Sequence, residues 1–174
     1  MTKGFLFSVS LLLAAPASVW AQAPLSDSDF TVQLNQHPVA LGQAWNDALS
    51  TSLGETTYDG FVGEVPFGDA SYKFYRHNFD GFDIYSANLW WDDQGKSVDS
   101  YIVGQITLHS PALHTARGVG PGSTKEAIIS HYGPGEIDNS DGSEWISYSF
   151  KNKHIAFSLA GGKVDSININ FDDD

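Results

Sequence analysis

Arg117-Gly118-Val119-Gly120-Pro121-Gly122-Ser123-Thr124-Lys125-Glu126, an apolar run to Tyr132, and then Gly133-Pro134 form the stretch on which the fold reading turns. Ser123 predicts an N-cap. Glu126, three residues on, completes a capping box, because each side chain satisfies a backbone donor that the first helical turn leaves free. Ala127, Ile128, Ile129 and Tyr132 recur at helical spacing, Gly133 suits the terminating residue, and Pro134 marks the stop. Beyond it, Trp145 to Phe150, His154 to Leu159 and Val164 to Phe171 alternate as three strands. Lys151-Asn152-Lys153 and Ala160-Gly161-Gly162 supply the turns between them.

The N-terminal half reads as a looser copy of the same unit. Phe30, Val32 and Leu34 alternate, turn at Asn35 to Pro38, and return through Val39 and Leu41 as a short hairpin. From Gly42, the residues Ala44, Trp45, Ala48, Leu49 and Leu53 keep helical spacing up to Gly54. The segment 55–71 has three glycines, a proline and little periodicity, which predicts a long loop or weak hairpin. Strands are expected over Tyr72 to Asn78, Phe82 to Trp91 and Val98 to Leu108. Both halves close on Val-Asp-Ser, at Val98-Asp99-Ser100 and Val164-Asp165-Ser166. The expectation is an α+β fold: two helix-plus-three-strand-meander repeats, 30–110 and 115–174, form one antiparallel sheet with helices on one face and the other face open. Together they make a single domain over 30–174.

Residues 1–21 read as a signal peptide, with Lys3 before an apolar core from Phe5 to Ala15 and Val19-Trp20-Ala21 as a small-x-small cleavage site. Residues 22–29 read as a flexible arm. The expected destination is the periplasm or the extracellular medium, without membrane insertion, because the apolar core falls short of the roughly 20 residues that span a bilayer. Nine basic and 21 acidic side chains, less Lys3, leave the expected mature chain at a formal −13. That charge argues against nucleic acid, whose phosphates need Lys and Arg to displace counterions, and against anionic membrane surfaces. With no cysteine there is neither a disulfide nor a thiol nucleophile.

Motif chemistry is sparse. His109 and His114 stand five apart around Pro111, which is not a ligand-pair spacing, so no metal is expected from the six histidines. Asp138-Asn139-Ser140-Asp141-Gly142-Ser143-Glu144 has the composition of a calcium loop without its alternate oxygens, and reads as a polar turn. No serine lies in a nucleophile-elbow motif, and no cofactor motif is complete. Trp45 and Trp90 read as core residues. Aromatics on the polar side of strands are the strongest site signal: Tyr75 alternates with His77, and Tyr85 with Trp91. These four are the candidate binding residues, since Tyr and Trp bury large area at low entropic cost.

The run from Arg117-Gly118-Val119 to Tyr132-Gly133, followed by Tyr148, Phe150, Phe157 and Val164 to Ile169, resembles the repeat of the beta-lactamase inhibitor protein family and of small envelope proteins of the SmpA/OmlA type. Leu41-Gly42 to Leu53-Gly54 is similar to a divergent first copy. The chain departs from the inhibitors in having no disulfide, and from the envelope lipoproteins in having no cysteine to acylate. The resemblance implies tandem repeats whose open sheet face binds a protein. The expected function is therefore an exported, monomeric, non-catalytic module that engages a protein partner, inhibitor-like, with carbohydrate or small-ligand binding as the alternative use of the same aromatics.

Overall fold

The computed structural model describes residues 22–140 and 142–172. The expected signal peptide, Asp141, and the tail residues Asp173 and Asp174 lie outside the described residues. A 3-10 turn at Asp27–Phe30 leads into a hairpin of β1 (Thr31–Leu34) and β2 (His37–Ala40). Helix α1 (Asp47–Ser52) precedes β3 (Tyr58–Phe67), β4 (Ala70–Phe79), β5 (Phe82–Ala87) and β6 (Ile102–Leu108). Helix α2 (Lys125–Tyr132) precedes β7 (Glu136–Asp138), β8 (Glu144–Phe150), β9 (Lys153–Ala160) and β10 (Lys163–Phe171).

Strands β3 to β10 form one eight-stranded sheet in the order β3-β4-β5-β6-β10-β9-β8-β7, antiparallel throughout. This overturns the expected α+β architecture of two helix-plus-three-strand repeats with helices on one face. The molecule is mostly β, with helices of only six and eight residues among the described residues. Each side of the β6–β10 seam carries four strands, not three. The extra ones are β3, in the segment read as a long loop or weak hairpin, and the three-residue β7. Gly60, Gly63 and Pro66 mask the strand signal of β3, which sits at a sheet edge where such residues are tolerated.

The first helix is shorter than its periodicity implies because the sheet takes its first residues. Gly42 N–H donates to Val103 O (2.8 Å), Val103 N–H to Gln43 O (2.8 Å), and Trp45 N–H to Tyr101 O (2.9 Å). Those backbone groups are unavailable for helical bonds, so α1 starts only after Asn46, whose Oδ1 accepts from Leu49 N–H. The second helix is entered the same way: Gly122 N–H donates to Val164 O, and Val164 N–H to Ser123 O. Both glycines sit at positive φ, +85° and +89°, where a side chain is disfavoured. The N-cap of α2 is accordingly Thr124, with Oγ1 accepting from Ala127 N–H, while Ser123 Oγ accepts from Gly120 N–H.

One core joins these parts. Phe30, Val32, Leu34 and Val39 from the hairpin meet Leu49 and Leu53 of α1, Ile128 and Tyr132 of α2, and Ile84, Ile106, Ile155, Phe157, Ile167 and Ile169 of the sheet. Fully buried side chains such as Phe30, Phe82 and Phe157 each contribute roughly 1.5–3 kcal/mol by leaving water. Arg117 fastens the chain start to this body. Its guanidinium grips both carboxylate oxygens of buried Asp29 (2.7 and 3.1 Å), donates to Ala23 O, Pro24 O and His131 O, and covers the Tyr132 ring.

Candidate functional site

Strand alternation sorts the sheet's side chains into two sets. Those opposite one another in register with Ile84, Ile106, Ile167 and Phe157 enter the core. The intervening residues form the second face: Arg76 and Asn78 on β4, Asp83 and Tyr85 on β5, Gln105 and Thr107 on β6, Asn168 and Asn170 on β10, His154 on β9, and Trp145 and Ser147 on β8. A bulge places Gly104 in β6 between the partners of Tyr85 and Ser86. A Cβ on Gly104 would lie 3.4 Å from that of Ala87, so the close approach of β5 depends on the glycine.

Polar contacts run across this second face from strand to strand. Arg76 Nη2 donates to Asp83 Oδ2 (3.0 Å), His109 Nε2 lies 3.1 Å from the same oxygen, and the Arg76 guanidinium sits 5.7 Å from the Tyr85 ring centroid. The bond to Asp83 raises the Arg76 pKa further above its ordinary value, so the group is a fixed cation. Gln105 Nε2 donates to Thr107 Oγ1 (3.1 Å), which donates to Asn168 Oδ1 (2.9 Å). Beyond them Glu136, Asp138, Ser140, Trp145, Ser147, His154, Ala156, Asn168 and Asn170 line a shallow hollow of about 490 Å³. Its walls come from β7 to β10 and Ser140 alone, with no helix contributing.

The four sequence-predicted binding residues do not share one surface. Tyr75 and Tyr85 face opposite ways, because Tyr85 pairs with Arg76 and Tyr75 with Ser86. Tyr75 is half-buried between Phe61 (5.1 Å) and Tyr101 (5.3 Å). Burial, then the neighbouring Tyr75, pushes the Tyr101 phenol up to about 12. Trp91 is not on a strand with Tyr85: β5 stops at Ala87, and Trp91 sits in the following turn, its carbonyl accepting from Lys96 N–H. Of the four, Tyr85 alone belongs to the polar face.

His77 goes to the core side, 5% exposed and stacked on Trp45 at 4.3 Å. Its Nε2 is 2.8 Å from Ser86 Oγ. Its Nδ1 is 3.1 Å from Asp59 Oδ1, off the direction a good hydrogen bond needs, so that contact is chiefly electrostatic. Burial pushes the imidazole below its usual range, and Asp59 offsets this only in part. Serine, histidine and aspartate stand in the order of a hydrolytic triad, but with exposure reversed. The Asp59 side chain is 54% exposed and Ser86 only 1%, which leaves an acyl group no path to the hydroxyl without parting β4 from β5.

Sequence reasoning passed over Trp145, Asn168, Asn170, Thr107 and Arg76. The signal for two of them was the run Ile167-Asn168-Ile169-Asn170, where strict alternation with neutral amides marks a strand between a core and a polar surface. Nothing in the sequence pointed to the Ser86–His77–Asp59 grouping, which depends on cross-strand register. Among the described residues no three His, Asp or Glu side chains are placed to hold one metal ion. No helix among them is long and apolar enough to cross a membrane.

No protein-family model matches the chain, and no curated protein matches it. Among solved structures it is similar to a cysteine-rich secretory protein from Staphylococcus aureus, at 13% identity and a TM-score of 0.45. That likeness covers 75% of this chain and 44% of the other, so the chain spans less than half the length of that protein.

Proposed function

We propose that the chain is an exported, non-catalytic module that binds a partner protein through the polar face of its eight-stranded sheet. The observation that carries this reading is the pair of side-chain bonds that cross neighbouring strands, Arg76 to Asp83 and Thr107 to Asn168, the latter extended along β6 by Gln105, with Tyr85 beside the Arg76 guanidinium and Trp145 further along the same face. Such bonds fix rotamers before a partner arrives, which lowers the entropy lost on binding. Arg, Tyr and Trp are also the residue types that dominate interface energetics. The strongly acidic chain favours a basic partner surface and disfavours nucleic acid.

Capture from an envelope extract tests the reading. Alanine at Tyr85 and at Trp145 abolishes it while the thermal transition of the Tyr85 variant stays in place; unchanged capture by both variants counts against the proposal. Export is tested by terminal sequencing of the protein recovered outside the cytoplasm, with Gln22 as the expected first residue. The resemblance to the inhibitor family makes a secreted beta-lactamase the first partner to assay.

The hollow of β7 to β10 favours a second reading. Trp145 beside the amides of Asn168 and Asn170 and the carboxylates of Glu136 and Asp138 suits a saccharide, with an indole to stack on and planar groups to meet hydroxyls. A blank glycan array removes it.

A further inference from the structure

A second cavity, of about 420 Å³, opens between the β3–β4 hairpin and the turn after β5. Phe67, Tyr72 and Trp90 give it aromatic walls, and Asp69, Asp92 and Asp93 stand among its lining residues. The Asp172 side chain joins them from the end of β10. Trp90 sits edge-on to Phe67 at 5.7 Å and to Phe171 at 4.8 Å, held there by a backbone φ of +55°. A bulky residue rarely adopts that angle, which costs on the order of 1 kcal/mol.

Charge sets the class of ligand. Asp69, Asp92 and Asp93 are exposed, and the Lys and Arg ion pairs seen among the described residues fall at other acids, Asp83, Asp29, Glu144 and Asp27. Asn152, which also lines the cavity, stands between Lys151 and Lys153, and both of those ammonium groups are paired with Asp27 at 2.7 and 2.9 Å. The carboxylates reach the aromatic walls electrically: burial, then Asp92 and Asp93, raises the Tyr72 phenol pKa. Unneutralised carboxylates over a low-dielectric floor concentrate positive ions, and aromatic faces attract organic cations through their quadrupole.

We infer that this cavity is a binding site for an organic ammonium group, either a free small cation or a lysine side chain of a partner. It is separate from the sheet face, so its failure leaves the proposed function untouched, and the converse holds.

The test is amide and indole NMR of the full chain titrated with choline, with acetyl-Gly-Lys-Gly-amide, and with 3,3-dimethylbutan-1-ol, the uncharged isostere of choline. Saturable shifts of the Trp90 indole N–H and of the Asp92 and Asp93 amides are expected with a cation and not with the alcohol. Choline binding more tightly assigns the site to free cations; the lysyl peptide binding more tightly assigns it to a partner's side chain. Asp92→Asn combined with Asp93→Asn weakens the response roughly fivefold or more, and added salt weakens it in the wild-type chain. Asp69→Asn gives an independent check should the double variant lose its fold. No saturable shift with either cation, equal shifts with the alcohol, or an unchanged response in the folded Asn variants overturns the inference.

Discussion

Two polar groupings occupy opposite faces of the same pair of strands. On the core side Ser86, His77 and Asp59 line up, and on the outer side Arg76, Asp83 and His109 do. Each has a histidine nitrogen 3.1 Å from an aspartate oxygen. The difference lies in which member is in water. The His77 side chain is 6% exposed beside a 54% exposed Asp59, whereas the His109 side chain is 47% exposed beside a 9% exposed Asp83. A shift of one residue along β4, from 77 to 76, separates a histidine that packs from an arginine that faces outward with its side chain 40% exposed. Residue type therefore did not assign role here; the side of the strand did.

Substitution should widen that contrast in stability. His77→Ala removes the ring under Trp45 and leaves Ser86 without its partner. It is expected to cost about 2–4 kcal/mol, read as a lower urea midpoint with an unchanged slope. Asp83→Ala leaves Arg76 and His109 facing each other without the shared carboxylate. The guanidinium stays 40% exposed and can rehydrate, so about 1–2 kcal/mol is expected by the same measurement.

Titration sharpens the comparison further. The folded state holds the His77 pKa below that of the unfolded chain, near 6.5. Between those two values the unfolded chain binds more protons, so stability rises with pH through the window, is complete above about 6.5, and is lost as pH falls below it. Denaturation series from pH 7.5 down to about 5 should show this slope in the wild-type chain and a flatter one in His77→Gln. If the slope persists in the variant, the buried imidazole is not its source. The smallest effect is expected at His109→Ala, within about 0.5 kcal/mol, because the imidazole is 47% exposed and Asp83 keeps its bond to Arg76. A loss there as large as at His77 would break the contrast between the faces.

The edges of the sheet show why some elements were legible and others were not. β8, β9 and β10 were found within a residue or so, because each alternates core and polar residues over a full strand length. β3 was not: it lies at the edge, where burial on one side is incomplete, and Tyr58, Phe61 and Val62 stay half exposed, so the periodic signal is weak. The helix starts were misplaced because Gly42 to Trp45 and Gly122 to Ser123 carry helix-like sequence yet bond to Val103 and Val164, more than 40 residues away. The expected cap moved by one residue for the same reason, from Ser123 to Thr124, because the backbone of Ser123 is held by Val164 in a strand contact that local sequence does not reveal.

By itself the sequence determined the alternation of the long strands, the turns between them, the charge of the chain and the absence of thiol chemistry, since each depends on neighbours a few residues apart. Only the tertiary structure decided that β6 meets β10, which unites eight strands, and that the bulge at Gly104 sets Tyr85 beside Gln105 while Ser86 turns inward to His77. It also decided that Phe67, Trp90 and Asp92 surround one cavity. Those outcomes come from strand register, and register is fixed by the packing of a whole face rather than by the preference of any single residue.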